Sequence, residues 1–369
     1  MGEGKGKYFL IAAGGTGGHV FPGIAIAEEI AGMTPAAEIR FAGTERGLEA
    51  GIVPQRGWPL MLIKSHSLKD RKGFAKICAA LALPVSVLRA SAMLASRRPS
   101  VLISIGGYAA GPLCLAAWIQ RIPVMLVEPN AIPGLTNRML ARFAKRVFVS
   151  YPEAAPAFGR KAAISGTPVR RSILEARHGA RDGSARATVF VFGGSQGART
   201  LNRGMVAALP WLAPLRERIS IVHQTGGNDD PLSIERAYAE AGIEATVFEF
   251  TDRMWECYER ADIVVARSGA NTVAEVSALG IPAVLVPYPH AADDHQRANA
   301  EALVRAGGAV MVADSEFTGE RVSREISSLI EDRQRLESMR AGALGFGRPD
   351  AARSIARECM AAAGGQGGS

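Results

Sequence analysis

Two glycine-rich turns carry groups that can bind phosphate. Gly14-Gly15-Thr16-Gly17-Gly18 follows an apolar run near the start of the chain, and Gly193-Gly194-Ser195-Gln196-Gly197 follows a similar run in its second half. A strand that leads through glycines into a helix presents backbone N–H groups at the positive end of the helix dipole, where anions bind. The turns are therefore predicted to hold the phosphates of a ligand. The alternative is that these glycines only let strand and helix pack closely.

Neither turn fits the motifs of two common nucleotide-binding families. Val20 stands where a dinucleotide-binding GxGxxG motif starting at Gly15 would need its last glycine, and the second turn has no GxG. Neither turn ends in the Lys-Ser/Thr pair of a P-loop. The sequence therefore disfavours a nicotinamide-dependent enzyme and an ATPase.

His19 follows the first turn directly, at the expected start of a helix. The helix dipole lowers the basicity of an imidazole at this end, and a neutral ring can take a proton from a hydroxyl nucleophile. His19 is therefore the candidate general base. The equally open alternative is a histidine that caps the helix or orients a ligand.

A polar cluster between residues 267 and 300 has the groups needed to bind hydroxyls. Small polar residues open a helix, Glu275 follows in its second turn, and a proline-containing loop then presents Gln296 and Asn299. A carboxylate accepts hydrogen bonds from the vicinal hydroxyls of a ribose, and amides pair with sugar hydroxyls. Taken alone, a glutamate near a helix start is more commonly a surface residue, so the prediction depends on the whole cluster and not on Glu275 by itself. The chain has no DxD sequence of the kind that holds a metal–diphosphate complex, so no metal and no other cofactor is expected.

The elements that position these groups alternate between short apolar runs and Ala- and Leu-rich helical segments, a pattern typical of βαβ units and parallel sheets. A chain of 369 residues with 48% hydrophobic residues is large enough for two such domains. A segment rich in small and charged residues predicts a linker between about 164 and 187. We expect a first domain over 1–166, a second over 167–349, a terminal helix over 350–363 that packs back on the first domain, and a disordered tail over 364–369.

Charge, cysteines and hydropathy restrict the partners and the compartment. The net charge of +8 favours anionic partners, without choosing among phosphates, nucleic acid and an acidic lipid surface. The four cysteines are widely spaced and form no CxxC pair, which predicts neither a zinc site nor a disulfide framework and suits a reducing cytoplasm. The longest apolar stretch, 78–95, contains Pro84 and Arg89, so no transmembrane helix is expected.

Taken together, the motifs of this chain resemble those of the bacterial MurG family. The matching segments, in family order across nearly the whole chain, are GGTGGH at 14–19, GGYAAGP at 106–112, NAIPGLTNR at 130–138, GTPVR at 166–170, GGSQGA at 193–198, RSGANTVAE at 267–275 and the PH…DDHQ…NA loop at 289–300. The resemblance implies a GT-B type fold, in which two Rossmann-like parallel-sheet α/β domains face a central cleft. It also implies an inverting transfer of N-acetylglucosamine from UDP-N-acetylglucosamine (UDP-GlcNAc) to the C4 hydroxyl of the muramoyl sugar of lipid I.

By position, the resemblance implies that His19 is the base and that the rest of the predicted site binds the donor. These donor contacts are Thr16, Gly17, Gly18, Asn130, Arg170, Ser195, Thr251, Ala270, Asn271, Thr272, Val273, Ala274, Glu275 and Gln296. Glu275 is expected on the ribose, Thr251 on the uracil through its backbone, and Gln296 on the N-acetylglucosamine. The chain departs from the family at Val127 and Pro129, where the usual sequence is His-Glu-Gln-Asn, so the roles of these two positions do not carry over.

Because lipid I lies in a bilayer, the resemblance also implies a peripheral protein on the cytoplasmic face of the bacterial inner membrane, with an anionic membrane surface as partner and no nucleic acid. The basic and apolar segment 69–98 is the expected docking surface. A helix buried on the first domain with a solvated basic face is the alternative for this segment. Two other functions stay open, a sugar-nucleotide-binding protein without catalysis and a two-domain epimerase; only a transferase releases UDP when a lipid-linked acceptor is supplied.

Overall fold

A computed structural model of the chain describes residues 6–45, 47–63, 74–107, 110–176, 186–194 and 196–364, with the backbone alone over 74–83. The chain divides into two compact units. The first comprises Met1–Arg170 together with Asp350–Ser369, and the second comprises Arg171–Pro349.

The first unit alternates strands and helices. Its strands are β1 (Tyr8–Ala13), β2 (Glu38–Gly43), β3 (Leu60–Leu62), β4 (Val101–Gly106), β5 (Val124–Glu128), β6 (Arg146–Val149) and β7 (Ala162–Ile164). Its helices before the unit boundary are α1 (Gly17–Met33), α2 (Glu49–Gln55), α3 (Phe74–Ser96), α4 (Ala110–Ile119) and α5 (Leu135–Leu140). Short 3₁₀ segments cover Ala141–Phe143, Pro152–Ala157 and Gly159–Lys161.

The second unit repeats this alternation. Its strands are β8 (Ala187–Phe192), β9 (Ile219–Gln224), β10 (Glu244–Phe248), β11 (Ile263–Ala266), β12 (Ala283–Leu285) and β13 (Ala309–Met311). Its helices are α6 (Arg171–Leu174), α7 (Arg199–Leu212), α8 (Pro231–Glu240), α9 (Met254–Arg260), α10 (Ala270–Leu279), α11 (His295–Arg305), α12 (Gly319–Glu331) and α13 (Arg333–Phe346); the last helix of the chain, α14 (Ala351–Gly364), belongs to the first unit. Short 3₁₀ segments cover Ala213–Leu215, Ala292–Asp294 and Asp314–Glu316.

In the first unit, the described strands form one parallel sheet in the order β3-β2-β1-β4-β5-β6-β7. β1 and β4 are buried along their whole length, as expected of central strands covered by helices on both faces. The chain runs outward from β1 in one direction and from β4 in the other, so the topological switch point lies between these two strands. Ligands of such sheets bind at the carboxyl ends of the strands at this point.

The second unit has the same architecture. Its described strands form a parallel sheet in the order β10-β9-β8-β11-β12-β13, which places the switch point between β8 and β11. The predicted fold class, two Rossmann-like parallel-sheet α/β domains, is confirmed. Within the residues described, we find no helix with the length and apolarity needed to cross a membrane.

The unit boundary lies after Arg170, four residues later than the expected boundary after residue 166. The shift has a physical cause, because residues 167–170 pack on the first unit. The Thr167 hydroxyl donates to Ser150 Oγ at 2.7 Å, and the Arg170 guanidinium lies 4.1 Å from the centre of the Phe21 ring.

The last helix, α14, packs on the first unit, where Ile355 and Cys359 join the core that also contains Ile24 of α1. The helix ends at Gly364, and residues 365–369, which include most of the tail expected to be disordered, lie outside the described residues. Cys114, Cys257 and Cys359 are buried free thiols. Burial raises the pKa of Cys114 to about 12 and that of Cys257 to about 11.

Candidate active site

The first glycine-rich turn connects β1 to α1 at the switch point of the first sheet. Thr16 is the N-cap residue of α1, so Gly17, Gly18 and His19 form the first turn of the helix. His19 Nδ1 lies 3.5 Å from Thr16 Oγ1, and its Nε2 faces the end of β4, 3.3 Å from the point where a Cβ on Gly106 would lie. The structure therefore brings together four of the predicted site residues, with the partly exposed His19 ring between two strand ends.

The turn that follows β4 comes close to the first glycine-rich turn at this switch point. Gly107 follows β4 with φ of +89°, and a Cβ on it would lie 2.2 Å from the carbonyl oxygen of Gly14. Only glycine allows this approach, because it tolerates the left-handed conformation and has no side chain to collide with the first turn. Gly107 is thus needed for the shape of the first turn.

Glu49 is a buried residue of this region that the sequence analysis missed. It is fully buried at the start of α2, and its carboxylate accepts hydrogen bonds from the Gly15 backbone N–H (2.8 Å) and from the Thr44 backbone N–H (2.7 Å) and hydroxyl (2.9 Å). It therefore ties the first glycine-rich turn to the end of β2. The available signal in the sequence was Gly43 and Gly47, whose missing side chains leave room for this carboxylate.

Asn130 follows β5 and is held by a second buried carboxylate, Glu128. Glu128 Oε1 accepts from the Asn130 backbone N–H at 3.0 Å, while Oε2 accepts from the Gly134 N–H at 2.9 Å and from Asn137 Nδ2 at 3.0 Å. Burial raises the pKa of Glu128, and the hydrogen bonds from Asn137, Asn130 and Gly134 oppose the rise. The carboxylate therefore fixes the turn that presents Asn130.

The two residues that depart from the family pattern are both buried. Val127 is fully buried in the core formed with α1. Pro129 is also buried, and its carbonyl oxygen accepts a hydrogen bond of 3.4 Å from the Thr167 hydroxyl. A valine suits the first position because that side chain points into apolar packing.

Most of the predicted residues of the second unit lie at or beside the start of α10, next to the switch point between β8 and β11. Ala270 to Glu275 form the first half of α10, with Gly269 as N-cap residue. Ser268, immediately before this cap, donates through its hydroxyl to the backbone oxygen of Gln296 at 2.8 Å. Gln296 Oε1 in turn accepts from the Tyr288 backbone N–H at 3.0 Å. The predicted sugar-binding amide and the predicted ribose-binding segment are therefore neighbours.

Thr251 lies apart from this cluster in the loop after β10, and α9 joins the two. Thr251 Oγ1 accepts from the backbone N–H of Arg253, the N-cap residue of α9, at 3.0 Å. Further along α9, the Tyr258 hydroxyl donates to Glu275 Oε2 at 2.9 Å. Tyr258 was missed by the sequence analysis, because no local pattern connects an aromatic residue of one helix with a glutamate of the next.

Arg170 and Ser195 complete the predicted residues. Arg170 is buried and stacks on Phe21 of α1, so it belongs to the first unit and not to the expected second domain. Ser195 lies outside the described residues. Among the described residues, no group of three or more His, Cys, Asp and Glu side chains is arranged to hold a metal ion.

Comparison with known proteins identifies the family. Residues 9–149 match the glycosyltransferase family 28 N-terminal domain, and residues 188–355 match the family 28 C-terminal domain. A Myxococcus xanthus protein named UDP-N-acetylglucosamine–N-acetylmuramyl-(pentapeptide) pyrophosphoryl-undecaprenol N-acetylglucosamine transferase is 44% identical over 95% of this chain and 92% of its own length. This chain belongs to the MurG family of glycosyltransferases. The resemblance noted in the sequence motifs is thereby confirmed.

Solved structures agree with the family and the fold. The crystal structure of MurG from Acinetobacter baumannii superimposes with a TM-score of 0.78 at 29% identity, covering 96% of this chain and 99% of that chain. A UDP-GlcNAc 2-epimerase from Neisseria meningitidis, solved with UDP-GlcNAc bound, has a TM-score of 0.65 at 13% identity, covering 96% of this chain and 99% of the epimerase. At that identity, the likeness to the epimerase concerns the fold alone.

Proposed function

We propose that this chain transfers N-acetylglucosamine from UDP-GlcNAc to the C4 hydroxyl of the muramoyl sugar of lipid I, giving lipid II for peptidoglycan synthesis. The observation that carries this proposal is the family membership, because a relative that matches almost the whole chain bears the name of this activity. The arrangement of both switch points adds support, since each presents a helix start and polar side chains where α/β sheets bind ligands.

We assign donor binding to the second unit. Glu275, held near the start of α10, would accept hydrogen bonds from the ribose hydroxyls, and the Gln296 amide would bind the N-acetylglucosamine. The backbone around Thr251 would contact the uracil. The first turn of α10, with Ala270, Asn271 and Thr272, would face the diphosphate, where the helix dipole favours negative charge.

The remaining predicted donor contacts follow the same scheme. Ser195 belongs to the second glycine-rich turn of the sequence and would contact the nucleotide. Val273 and Ala274 continue α10 from the diphosphate toward Glu275.

We assign acceptor binding and proton transfer to the first unit. With Nδ1–H donating to Thr16 Oγ1, His19 Nε2 would carry the lone pair that removes the proton of the C4 hydroxyl. The resulting oxygen nucleophile attacks the anomeric carbon, and a C–O bond forms as the bond to the diphosphate breaks. UDP leaves with the electron pair, and the configuration at the anomeric carbon inverts. Thr16, Gly17, Gly18 and Asn130 would surround the donor sugar and the acceptor diphosphate.

Charge builds on the diphosphate as it departs, and fixed dipoles and cations lower the energy of that state. The N-terminus of α10 supplies a dipole of this kind. Arg170 would supply the cation, and its stacking on Phe21 keeps the planar guanidinium in one orientation. In this scheme neither a metal ion nor another cofactor takes part.

We further propose that the first unit docks peripherally on an anionic membrane surface, on the cytoplasmic face of the inner membrane. Lys69, Arg71 and Lys72 of the expected docking segment, and the side chain of Lys76, lie outside the described residues. The described part of α3 has two faces: Ala90 and Leu94 are buried in the core, whereas Leu88 is 69% exposed. The two interpretations of this segment are therefore compatible, because one face of the helix is buried in the core and another face is exposed for contact with a membrane.

The end of α4 extends this surface. Gln120 Nε2 donates to the Ser91 backbone oxygen of α3 at 2.8 Å, which places the end of α4 beside the exposed part of α3. Trp118 and Ile119, just before it, are about half exposed, and Trp118 packs on Phe143 with 4.9 Å between ring centres. Exposed apolar side chains near arginines favour the interface of an anionic bilayer.

The decisive experiment for the activity measures UDP release from a panel of sugar nucleotides with and without lipid I. We expect release from UDP-GlcNAc only when lipid I is present. Interconversion of free sugar nucleotides would instead identify an epimerase, and binding without release would identify a non-catalytic module. His19→Ala is expected to lower turnover while UDP affinity is kept, and Glu275→Ala is expected mainly to weaken donor binding. Wild-type turnover of His19→Ala would exclude His19 as the base.

Membrane docking has its own test. Leu88→Ser together with Trp118→Ser is expected to reduce binding to vesicles containing phosphatidylglycerol, while UDP affinity is kept. The control pair Leu232→Ser and Trp211→Ser removes equally exposed apolar side chains from the second unit. Equal loss of vesicle binding in both pairs would remove the α3–α4 surface from the proposal.

A further inference from the structure

Tyr258 contacts the carboxylate to which the proposed function assigns the ribose. Its hydroxyl donates to Glu275 Oε2 at 2.9 Å, and both residues are buried, Tyr258 fully and Glu275 to 7% exposure. A hydrogen bond to a carboxylate is stronger than one between neutral groups. Loss of this bond is also costly, because a buried acceptor that loses a donor has no water to replace it.

The Tyr258 ring is itself fixed by β8. Its plane lies edge-on to Phe190 and Phe192, with ring centres 5.6 and 6.0 Å apart and interplanar angles of 85° and 86°. Edge-to-face contacts of this kind are favourable and directional. The hydroxyl therefore has a set position, and the carboxylate that accepts from it has a set plane.

We infer that Tyr258 is a positioning residue that orients Glu275 for the 2′ and 3′ hydroxyls of a nucleoside diphosphate, and so makes the site selective for ribose over its deoxy forms. A carboxylate has about four lone-pair positions, and one bond from Tyr258 fixes which of them can face a vicinal diol. Tyr258 lies in α9, and this helix begins beside Thr251, the proposed uracil contact. The helix α9 therefore couples the recognition of the base with that of the ribose. This inference rests on the proposed function of Glu275.

The test compares the binding of UDP with that of 2′,3′-dideoxy-UDP. Tyr258→Phe keeps the ring and its contacts with β8 and removes only the donor. We expect UDP to bind about tenfold more weakly to this variant, whereas dideoxy-UDP, which has no diol for Glu275, binds within about twofold of wild type. Tyr238→Phe removes the hydroxyl of another fully buried tyrosine in the same unit, one that contacts His223, and should leave the UDP to dideoxy-UDP preference unchanged.

Other outcomes separate this inference from the proposed function. Equal weakening of both ligands in Tyr258→Phe, or no weakening of either, would overturn the positioning role. If Glu275→Ala retains the preference for UDP over dideoxy-UDP, the ribose assignment of Glu275 is itself wrong. If Glu275→Ala abolishes the preference and Tyr258→Phe keeps it, only the role of Tyr258 fails.

A third variant closes the thermodynamic cycle. In the Glu275→Ala background, Tyr258→Phe should cost no further UDP affinity, since the group that it orients is gone. A further loss of about tenfold in this background would show that Tyr258 acts on the ligand by another route, and would overturn the inference. The double variant also has no buried carboxylate that has lost the Tyr258 donor, so its comparison with Glu275→Ala does not depend on how well Tyr258→Phe alone folds.

Discussion

Alanine at position 107 would force apart the two turns that meet at the first switch point. The added Cβ would lie 2.2 Å from the Gly14 carbonyl oxygen, whereas an ordinary contact begins at 3.4 Å. The turns must therefore separate by about 1.2 Å, and Gly14 belongs to the turn that leads to Thr16 and His19. A displacement of about 1 Å in a catalytic group can cost about 100-fold in rate. We therefore expect turnover of Gly107→Ala to fall about 100-fold.

The matched control is Gly57→Ala. Gly57 lies in the same unit with φ of +78°, close to the +89° of Gly107, and a Cβ on it would meet no atom within 4 Å. In both variants, an alanine in the left-handed backbone conformation destabilises the fold by about 1 kcal/mol. Only Gly107→Ala adds a steric collision, which costs about 1–3 kcal/mol more. The comparison therefore isolates the collision from the backbone strain.

The assay measures UDP release with lipid I as acceptor, together with urea unfolding and UDP binding. Gly107→Ala should lose turnover and unfold at lower urea than Gly57→Ala. UDP affinity should stay within about twofold of wild type, since the contacts to the uracil and the ribose are assigned to the second unit. Turnover of Gly107→Ala within twofold of that of Gly57→Ala would refute the conclusion that this contact shapes the catalytic turn.

Two further predictions concern buried polar groups. In Glu49→Gln, the new amide NH₂ must face one of the backbone donors, Gly15 N–H or Thr44 N–H, at a cost of about 1–3 kcal/mol. The thermal midpoint of unfolding and the turnover should therefore fall, whereas the control Glu153→Gln, at an exposed position, should change neither. Unchanged turnover of Glu49→Gln would contradict the role of Glu49 in holding the first glycine-rich turn. Burial lowers the pKa of His223 to about 4 from the ordinary 6.5, so the unfolded chain binds more protons below pH 6.5 and stability falls as pH drops toward 4. The free energy of unfolding, measured in urea, should fall by about 3 kcal/mol over this pH range. His223→Gln should lack this pH dependence; an identical pH dependence in the variant would show that other groups cause it.

The sequence alone was sufficient to predict the fold class. Apolar strands, glycine turns and helical segments are local patterns, and their order along the chain restricts a parallel sheet to few topologies. The first turn with His19 and the polar cluster with Glu275 could be found for the same reason, because each is a short contiguous motif placed at the end of a strand. The family motifs supplied the proposed substrate, which spacing alone had left open.

Tertiary structure decided which groups hold those motifs in place. Glu49 meets Gly15 across 34 positions of the chain, and Tyr258 meets Glu275 across 17. Contacts of this kind depend on strand order and on how helices pack, which no local periodicity encodes. The unit boundary after Arg170 has the same origin, since stacking on Phe21 holds this residue to the first unit. The sequence by itself determined where the chemical groups occur, and only the packed structure determined which buried side chains orient them.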